Sequence, residues 1–308
     1  MKVSIVGGSG YTGGELLRLL VQHPKVEIAQ VTSDSLAGKP IGRVHPNLRK
    51  VTDLTFTPHA DLEETDFLFL AMPHGRSRER MPEFLVRAAK VVDLSGDFRL
   101  HDPKAYEQYY GVKHPHPELL AKTVYGLPEL HRQDIRNATL VSGAGCIATA
   151  SIFALRPLAV AGAIDPAKVV IDAKSGSSAS GADGGPASNH AERSGVMRLY
   201  SAEGHRHTAE IEQETGLTVG LSCHAVEAVR GVLATCHAFL KIPATEKDLW
   251  RWYREAYGKE PFVRIVNEAA GVYRLPEPKI LAGTNYCDVG FALDAHANRV
   301  VAVRRSTT

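Results

Sequence analysis

The sequence predicts an α/β fold in two domains, and three observations lead to this prediction. Short apolar runs alternate with helical patterns in the first half, a glycine-rich segment joins the first run to the first helix, and longer alternating runs follow in the second half. At 308 residues the chain is long for a single core. We therefore expect a parallel sheet covered by helices over residues 1–145, and an α+β domain with a mixed or antiparallel sheet over residues 146–308.

The first half contains five candidate strands, and short continuous apolar runs of this kind are typical of strands buried on both faces of a parallel sheet. They are "KVSIVG" at 2–7, "VEIAQVTS" at 26–33, "DFLFLAMP" at 66–73, "KVVDLS" at 90–95 and "ATLVSGAG" at 138–145. The first helix is predicted over "TGGELLRLLVQH" at 12–23, because its leucines recur with helical spacing.

The second half changes character after Cys146, where a helix over about 147–161 is predicted. Alternating apolar and polar residues then predict strands, mostly antiparallel, around a further helix and a segment rich in Ser, Gly and Ala. The strands are expected at 168–175, within 221–242 and at 299–304, the helix at 246–260 and the Ser/Gly/Ala segment at 175–190.

Composition and charge exclude several classes of protein. A net charge of +2 gives no electrostatic reason to expect nucleic-acid binding. No segment approaches the roughly 20 apolar residues that span a bilayer, so no membrane association is expected, and "MKVSIVGGSG" turns to glycine too early for a signal peptide. The four cysteines are far apart and form no C-x-x-C pair, which argues against a zinc site and a disulfide scaffold. We therefore expect no metal, reduced thiols and a cytoplasmic location.

A glycine loop lies between the first strand and the first helix. Gly7, Gly10 and Gly13 are spaced as G-x-x-G-x-x-G. Glycines here permit a tight turn, let backbone N–H groups approach a pyrophosphate and allow the helix to pack closely on the strand. The helix N-terminus then faces the phosphates with its partial positive charge. This position predicts a Rossmann-type dinucleotide site, the alternative being a structural turn in another α/β protein.

The end of the second strand bears on which dinucleotide binds. An acidic residue there favours NAD, whereas hydroxyl or basic residues accommodate the extra phosphate of NADP. The sequence reads "TSDSLAGK", so Ser33 and Ser35 could bond a phosphate, but Asp34 would repel one if it pointed inward. These residues therefore leave the choice between NAD and NADP open.

Cys146 lies where the last predicted strand of the first half meets the next helix, in "GAGCIATA". A helix N-terminus favours the thiolate over the thiol, and the first helical N–H groups could hold an oxyanion. Small neighbouring residues leave room for a substrate. These features predict a nucleophile, the alternative being a buried structural cysteine. We expect the other cysteines, Cys223, Cys236 and Cys287, to be buried, since they lie on strand patterns.

A nucleophilic thiol needs a partner that moves protons. "SAEGHRHTAEI" places His205 and His207 on either side of Arg206, just before a predicted helix. The chain holds 14 histidines, and scattered histidines are mostly surface or core residues. The His-Arg-His cluster is the best candidate that the sequence offers.

Nine motifs occur in the order found in the N-acetyl-gamma-glutamyl-phosphate reductases. They are "GGSGYTGGELLRLL", "MPHG", "DLSGDFRL", "YGLPEL", "GAGCIATA", "DAKSGSSASGA", "GHRHTAEIEQ", "VRGVLAT" and "GTNYCDVGF". The resemblance covers almost the whole chain. The acetylglutamyl enzymes usually have "NPGC" followed by Tyr-Pro-Thr, so Ala144 and Ile147 make the sequence more similar to relatives whose acyl phosphate is attached to an amino-group carrier protein.

The resemblance implies a role for each matching residue. Cys146 would be the nucleophile and His205 the general acid/base. Residues that would contact NADP are Gly7, Ser9, Gly10, Tyr11, Thr12, Gly13, Ser33, Asp34, Ser35 and Pro73. Residues that would bind the substrate are Arg99, Ser175, Ser178 and His207.

The resemblance also implies an activity and partners. The activity is NADPH-dependent reduction of a carrier-bound aminoadipate 6-phosphate, or glutamate 5-phosphate, to the semialdehyde in lysine or arginine biosynthesis. The alternatives are an N-acetyl-gamma-glutamyl-phosphate reductase and another phosphorylating semialdehyde dehydrogenase. Partners implied are a small acidic carrier protein, for which "HGRSRER" at 74–80 is a candidate basic docking surface, and further copies of the chain in a homodimer or homotetramer.

One departure from the family concerns the last predicted strand. In the family this strand leads into a segment resembling Asp-Asn-Leu-x-Lys-Gly and then a helix, whereas here the sequence reads "NRVVAVRRSTT". The departure suggests a third hypothesis, a protein that binds NADP or the carrier with impaired turnover.

Overall fold

The computed structural model describes residues 1–306 and divides the chain into two compact units. The first consists of Met1–Ala144 with Gly181–Asp183, and the second of Gly145–Ser180 with Gly184–Thr308. The chain therefore leaves the first unit directly before the Gly145–Cys146 pair.

The first unit is built on a parallel six-stranded sheet, as the sequence predicts, with strand order β2-β1-β3-β4-β6-β5 among the described residues. Its strands are β1 Lys2–Val6, β2 Glu27–Thr32, β3 Thr65–Leu70, β4 Ala88–Asp93, β5 Val124–Gly126 and β6 Leu140–Gly143. Its helices are α1 Tyr11–Leu20, α2 Ile41–Val44, α3 Ser77–Arg87, α4 Pro103–Tyr110, α5 Pro117–Leu120 and α6 Pro128–Asn137. The three-residue strand β5 was not predicted, because it is too short to show a period.

The strand order reverses direction between β1 and β3, because the chain first moves outward to β2 and then returns to the other side of β1. Ligands of open parallel sheets bind at such a reversal, beyond the carboxyl ends of the strands. The loops that follow β1 and β3 are therefore the expected ligand loops. The core beneath them is closed by α1 and α2, since Leu17 and Ile41 pack against Ile5 and Val31.

The second unit is built on a mixed seven-stranded sheet with order β11-β12-β13-β10-β7-β9-β8, counted over the described residues. Its strands are β7 Ile164–Ser175, β8 Met197–Ser201, β9 Val219–Val226, β10 Val232–Leu240, β11 Val263–Ile265, β12 Cys287–Asp294 and β13 Arg299–Ser306. Its helices are α7 Cys146–Val160, α8 His190–Arg193, α9 His207–Thr215 and α10 Glu246–Tyr257.

The region 221–242 forms β9 and β10, which do not pair with each other. Strand β7 lies between them, parallel to β9 and antiparallel to β10. Alternation along a strand reports which face is buried but not which strand is its neighbour. The mixed sheet is thus confirmed, and its order is what the sequence left undetermined.

Helix α7 is the central helix of the second unit, with ten of its fifteen residues buried. It begins at Cys146, one residue before the predicted start, and Gly145 is its N-cap. The hydroxyls of Tyr253 and Tyr257 on α10 donate to the backbone carbonyls of Ala154 and Phe153, at the middle of α7. A helix buried on this scale holds its first turn in a fixed place, so the position of Cys146 is set by the core.

The Ser/Gly/Ala segment contains short turns over Ser177–Ser180 and Pro186–Ser188, followed by α8. Within residues 1–306, no helix is both long and apolar enough to cross a membrane.

Candidate active site

The glycine loop after β1 forms a close-packed turn. Gly7 has φ +79° and lies so close to the loop after β3 that a Cβ atom there would come within 2.9 Å of the Ala71 carbonyl oxygen. A Cβ on Gly13 would lie 2.5 Å from the Gly8 backbone, so helix α1 packs directly on the loop. Gly8 was not predicted to be required, but a Cβ there would meet Val31 Cγ1 at 2.2 Å. The turn therefore demands glycine at three positions.

Gly10 differs from these glycines because it faces open space. No atom lies within 4 Å of the position that its Cβ would occupy, and it is the N-cap of α1. The first turn of α1 has no side-chain cap and no acidic residue, and a helix leaves its first N–H groups without acceptors inside the helix. Tyr11 and Thr12 on this turn are exposed. An open, uncapped helix N-terminus beside a glycine turn fits the pyrophosphate of a dinucleotide.

The end of β2 lies beside the glycine loop. The Ser33 hydroxyl donates to the Ser9 hydroxyl at 3.2 Å, and Ser33 is buried whereas Ser35 is exposed. The Asp34 carboxylate accepts the backbone N–H of His59 at 2.7 Å, and its second oxygen lies 3.8 Å from His59 Nε2. Burial lowers the pKa of His59, and the Asp34 charge opposes that effect. The Asp34 carboxylate at the end of β2 is thus already hydrogen-bonded within the protein.

The loop after β3 contains Pro73, which is exposed, and it is held by a buried network at the N-terminus of α3. Asp97 accepts the Gly75 N–H at 2.8 Å, and the Ser77 hydroxyl lies 2.9 Å from carboxylate oxygens of both Asp97 and Asp93. Both carboxyl groups are fully buried. The network therefore ties the loop after β3 to the loop after β4 at the carboxyl edge of the sheet.

Burial, reinforced by the Asp97 charge, raises the pKa of Asp93 to about 6. Because the pKa of Asp93 is higher in the folded protein, the fold favours its protonated form. The stability that this form contributes is lost as the pH rises through about 6 and the carboxyl ionises. From these values we expect a loss of about 1.5 kcal/mol between pH 5 and pH 7.5. Asp93→Asn imitates the protonated acid, so its free energy of unfolding should lack this loss when urea denaturation is measured at both pH values. Asp53→Asn, on an exposed acid, should keep the wild-type pH dependence; an Asp93→Asn variant that also keeps it would contradict the assignment.

Arg99 is almost fully buried in the first unit. Its Nε donates to the Gly143 carbonyl at 2.8 Å and its Nη2 to the Leu94 carbonyl at 3.4 Å. These bonds fix the end of β6, three residues before Cys146. The structure thus shows Arg99 contacting backbone, and its role toward a substrate stays a prediction.

Cys146 is the first residue of α7 and is half-buried. The other three cysteines, all within the described residues, are buried. The preceding residue, Gly145, is fixed by a hydrogen bond from its N–H to Glu210 Oε2 at 2.9 Å. Glu210 lies on α9 and is fully buried. The first intrahelical bond runs from the Thr149 N–H to the Gly145 carbonyl. The N–H groups of the intervening first turn point along the helix axis, where they could bind an oxyanion.

His205 and His207 lie together at the start of α9. Their rings meet edge to face at 4.6 Å, and the His207 backbone N–H donates to His205 Nδ1 at 3.2 Å. An Nδ1 that accepts a hydrogen bond places the proton of the neutral ring on Nε2. Burial and the Arg206 charge lower the pKa of His205 to about 4. His205 is therefore a neutral imidazole near pH 7, with an N–H to donate.

His207 is buried and interacts with the same carboxylate that holds Gly145. Its Nε2 lies 3.7 Å from Glu210 Oε1. Glu210 thus links the backbone before Cys146 to the residue beside His205. This link was not predicted, because the acid lies 65 positions from Gly145 in the sequence.

Tyr200 and Cys223 complete the surroundings of the thiol. Tyr200 was not predicted, whereas Cys223 is buried as expected. The Tyr200 ring lies edge to face with His205 at 6.2 Å, and its hydroxyl interacts with Cys223 and Ser175. Burial and the neighbouring thiols raise the pKa of Tyr200 to about 12, and burial with the Cys146 charge raises the pKa of Cys223 to about 11. Both groups therefore stay protonated, and Cys146 is the cysteine placed for reaction.

The predicted substrate residues Ser175 and Ser178 lie at the end of β7 and in the turn that follows. Ser175 is buried, and its carbonyl accepts Arg193 Nη2 at 2.7 Å. The Ser178 N–H donates to the Val229 carbonyl at 2.9 Å. The second unit therefore brings Cys146, His205, His207 and Ser175 to one region through Tyr200 and Glu210.

Each unit thus has a chemical capacity of its own. The first offers an anion-binding helix N-terminus and a pair of serines at the end of β2. The second offers a thiol at a helix N-terminus and a neutral imidazole. No three His, Cys, Asp or Glu side chains are grouped as metal ligands in the part of the chain that the structure describes.

Comparison with known families assigns both units. Residues 2–138 match the family described as "Semialdehyde dehydrogenase, NAD binding domain", and residues 146–305 match "Semialdehyde dehydrogenase, dimerisation domain".

Similar curated proteins cover nearly the whole chain. A putative LysW-L-2-aminoadipate 6-phosphate reductase of Thermomicrobium roseum is 56% identical over 96% of this chain and 85% of its own length. A LysW-L-2-aminoadipate 6-phosphate reductase of Deinococcus radiodurans is 50% identical over 97% and 86%. A LysW-L-2-aminoadipate/LysW-L-glutamate phosphate reductase of Saccharolobus solfataricus is 44% identical over 97% and 87%.

Solved structures show the same fold at low sequence identity. Aspartate semialdehyde dehydrogenase II from Vibrio cholerae superposes with a TM-score of 0.73 at 13% identity, over 99% of this chain and 92% of that one. Aspartate semialdehyde dehydrogenase with NADP from Candida albicans gives 0.71 at 14% identity, over 98% and 92%.

Proposed function

The chain belongs to the semialdehyde dehydrogenase family, and we propose that it is the reductase that converts a carrier-protein-bound aminoadipate 6-phosphate to the semialdehyde with NADPH. The observation that carries the chemistry is Cys146, a half-buried thiol at the first position of a buried helix. The names of relatives at 44–56% identity support the substrate.

In the first step the Cys146 thiolate attacks the acyl carbon. The N–H groups of the first turn of α7 stabilise the oxyanion, and the carbon–oxygen bond to phosphate breaks, leaving a thioester on Sγ and free phosphate. Glu210 acts as a positioning residue, because its bond to the Gly145 N–H fixes the helix start. A thioester is needed because a carboxylate is a poor hydride acceptor.

In the second step the thioester is reduced. Bound NADPH supplies the hydride. The Nε2–H of the neutral His205 donates a hydrogen bond to the carbonyl oxygen and stabilises the negative charge that develops there as the thioester becomes a hemithioacetal anion on Sγ. The carbon–sulfur bond of this anion then breaks, which releases the aldehyde and the Cys146 thiolate while His205 keeps its proton. We place Arg99, Ser175, Ser178 and His207 around the substrate, as the family resemblance implies.

Two features of the first unit support a nicotinamide dinucleotide, and a third supports NADPH. The turn at Gly7, Gly8 and Gly13 and the open cap at Gly10 fit a pyrophosphate. The residues proposed to line the dinucleotide site are Gly7, Ser9, Gly10, Tyr11, Thr12, Gly13, Ser33, Asp34, Ser35 and Pro73. The engagement of Asp34 by His59 leaves the serines to meet the 2′-phosphate, which favours NADPH.

The carrier protein is the proposed macromolecular partner. The candidate docking segment 74–80 carries less free charge than its sequence suggests, because Arg78 pairs with Glu79 at 3.1 Å and Arg80 with Glu83 at 3.0 Å. The docking surface therefore stays a prediction. We also propose that the enzyme is a cytoplasmic homodimer or homotetramer, in keeping with the dimerisation-domain family of its second unit.

The substrate is tested by following NADPH oxidation with three acyl phosphates: carrier-linked aminoadipate phosphate, carrier-linked glutamyl phosphate and N-acetyl-gamma-glutamyl phosphate. We expect the first to give a kcat/KM at least about 100-fold above the third, because binding energy from the carrier contributes to the transition state. Equal or faster reduction of N-acetyl-gamma-glutamyl phosphate would favour the alternative reductase. Binding of NADPH and carrier without turnover of any of the three would favour a binding protein.

A further inference from the structure

Asp34 lies at the end of β2, where NAD-binding folds place the carboxylate that bonds the ribose 2′-hydroxyl. A carboxylate directed at the ribose would repel a 2′-phosphate. In this protein the Asp34 carboxylate instead accepts the His59 N–H at 2.7 Å.

The segment that engages Asp34 is itself fixed on both sides. Along β2, the Thr57 N–H donates to the Val31 carbonyl at 3.0 Å and the Ser33 N–H donates to the Thr57 carbonyl at 2.9 Å. On the other side, Phe56 exchanges backbone bonds with residues 38 and 39, and its ring is buried. His59 Nδ1 also lies 2.5 Å from Thr32 Oγ1. Residues 55–59 therefore form a rigid clamp beside the end of β2.

The clamp leaves two hydroxyls next to the glycine loop. Ser33 is joined to Ser9 at 3.2 Å, and each hydroxyl oxygen can take part in a further bond. Lys39 lies six positions after Ser33 in the sequence, is exposed and makes no ion pair among the described residues. The two serine hydroxyls and the Lys39 ammonium are thus the groups of this segment that a phosphate would bind.

We propose that the clamp at residues 55–59 sets the preference for NADPH by holding the Asp34 carboxylate away from the adenosine ribose. Asp34 is then a specificity-determining residue, because the position of its carboxylate decides whether a 2′-phosphate is repelled. This inference rests on the proposed function, since it concerns the cofactor of that same site.

The test measures dissociation constants of NADPH and NADH by fluorescence titration of the whole protein, with no turnover required. Wild type should bind NADPH at least about tenfold more tightly than NADH. Asp34→Asn, which can still accept the His59 N–H, should leave NADH affinity within about twofold, because the carboxylate does not bond the ribose. Asp34→Glu is one methylene too long for the clamp, so its charge should weaken NADPH binding about tenfold relative to NADH.

Asp61→Asn is the matched control, because it removes one exposed carboxylate from the turn that follows the clamp. It should keep both dissociation constants, and thermal unfolding of every variant checks folding. A tenfold loss of NADH affinity in Asp34→Asn would overturn the inference, since it would show a bond to the ribose. If the wild type prefers NADPH and Asp34→Glu binds both cofactors as the wild type does, the inference about the clamp is wrong but the proposed cofactor stands. If the wild type prefers NADH, the proposed cofactor is wrong as well.

Discussion

Cys146→Ser is expected to lower the rate of NADPH-dependent reduction by at least about 10⁴-fold while NADPH binds with unchanged affinity. Serine keeps the shape of the side chain, but its hydroxyl is a far weaker nucleophile than a thiolate and has no strong base to activate it. The same variant should lose phosphate-dependent oxidation of the aldehyde, because the reverse reaction passes through the same thioester. Steady-state rates in both directions and a fluorescence titration with NADPH provide the measurement.

Cys236→Ala is the control for this variant. Cys236 is fully buried on β10, and its thiol takes no part in the proposed steps. It should keep a wild-type rate per folded molecule, with only reduced stability from the lost sulfur contact. If Cys146→Ser retained more than a few per cent of the rate, covalent catalysis at this residue would be ruled out.

His205→Gln should lower kcat by about 10²- to 10⁴-fold and leave NADPH affinity unchanged, since the imidazole N–H that polarises the carbonyl oxygen is lost. The pH dependence is equally diagnostic. Because the pKa of His205 is lowered to about 4, its neutral form persists through the range from pH 5 to 8. The fall in kcat/KM that arises from protonation of His205 should therefore lie near pH 4, well below the ordinary histidine value of 6.5.

His296→Gln makes the same substitution on an exposed loop and should leave both kcat and the pH profile at their wild-type values. A wild-type profile that falls with an apparent pKa near 6.5 and loses this limb in His205→Gln would contradict the environment described for His205. A His205→Gln variant with wild-type kcat would remove it from the catalytic machinery.

The parts of the site that sequence predicts are those that depend on neighbours along the chain. The glycine turn and the helix that begins at Cys146 each require particular residue types within one short segment. Gly13 is needed because α1 packs on the loop five residues before it. The all-parallel sheet follows similarly from its buried apolar strands.

The parts that sequence left open depend on contacts between distant residues. Glu210 bonds the Gly145 N–H across 65 positions, and Asp34 bonds the His59 N–H across 25. In each contact the carboxylate accepts a backbone N–H, and every residue except proline has such a group. The residue types at the two positions therefore do not reveal the contact. Tyr200 reaches the thiol region because β8 pairs with β9, and that pairing is not encoded in the alternation of either strand.

The central claim is that reduction proceeds through a thioester on Cys146, and one measurement tests it most directly. The enzyme is mixed with carrier-linked aminoadipate phosphate in the absence of NADPH, and intact-protein mass and released phosphate are recorded together. We predict about one phosphate per active site and a covalent adduct of enzyme and carrier at Cys146 that hydroxylamine cleaves, as for a thioester. An enzyme that turns over with NADPH but forms no adduct, or a Cys146→Ser variant that forms the same hydroxylamine-sensitive adduct, would contradict this claim.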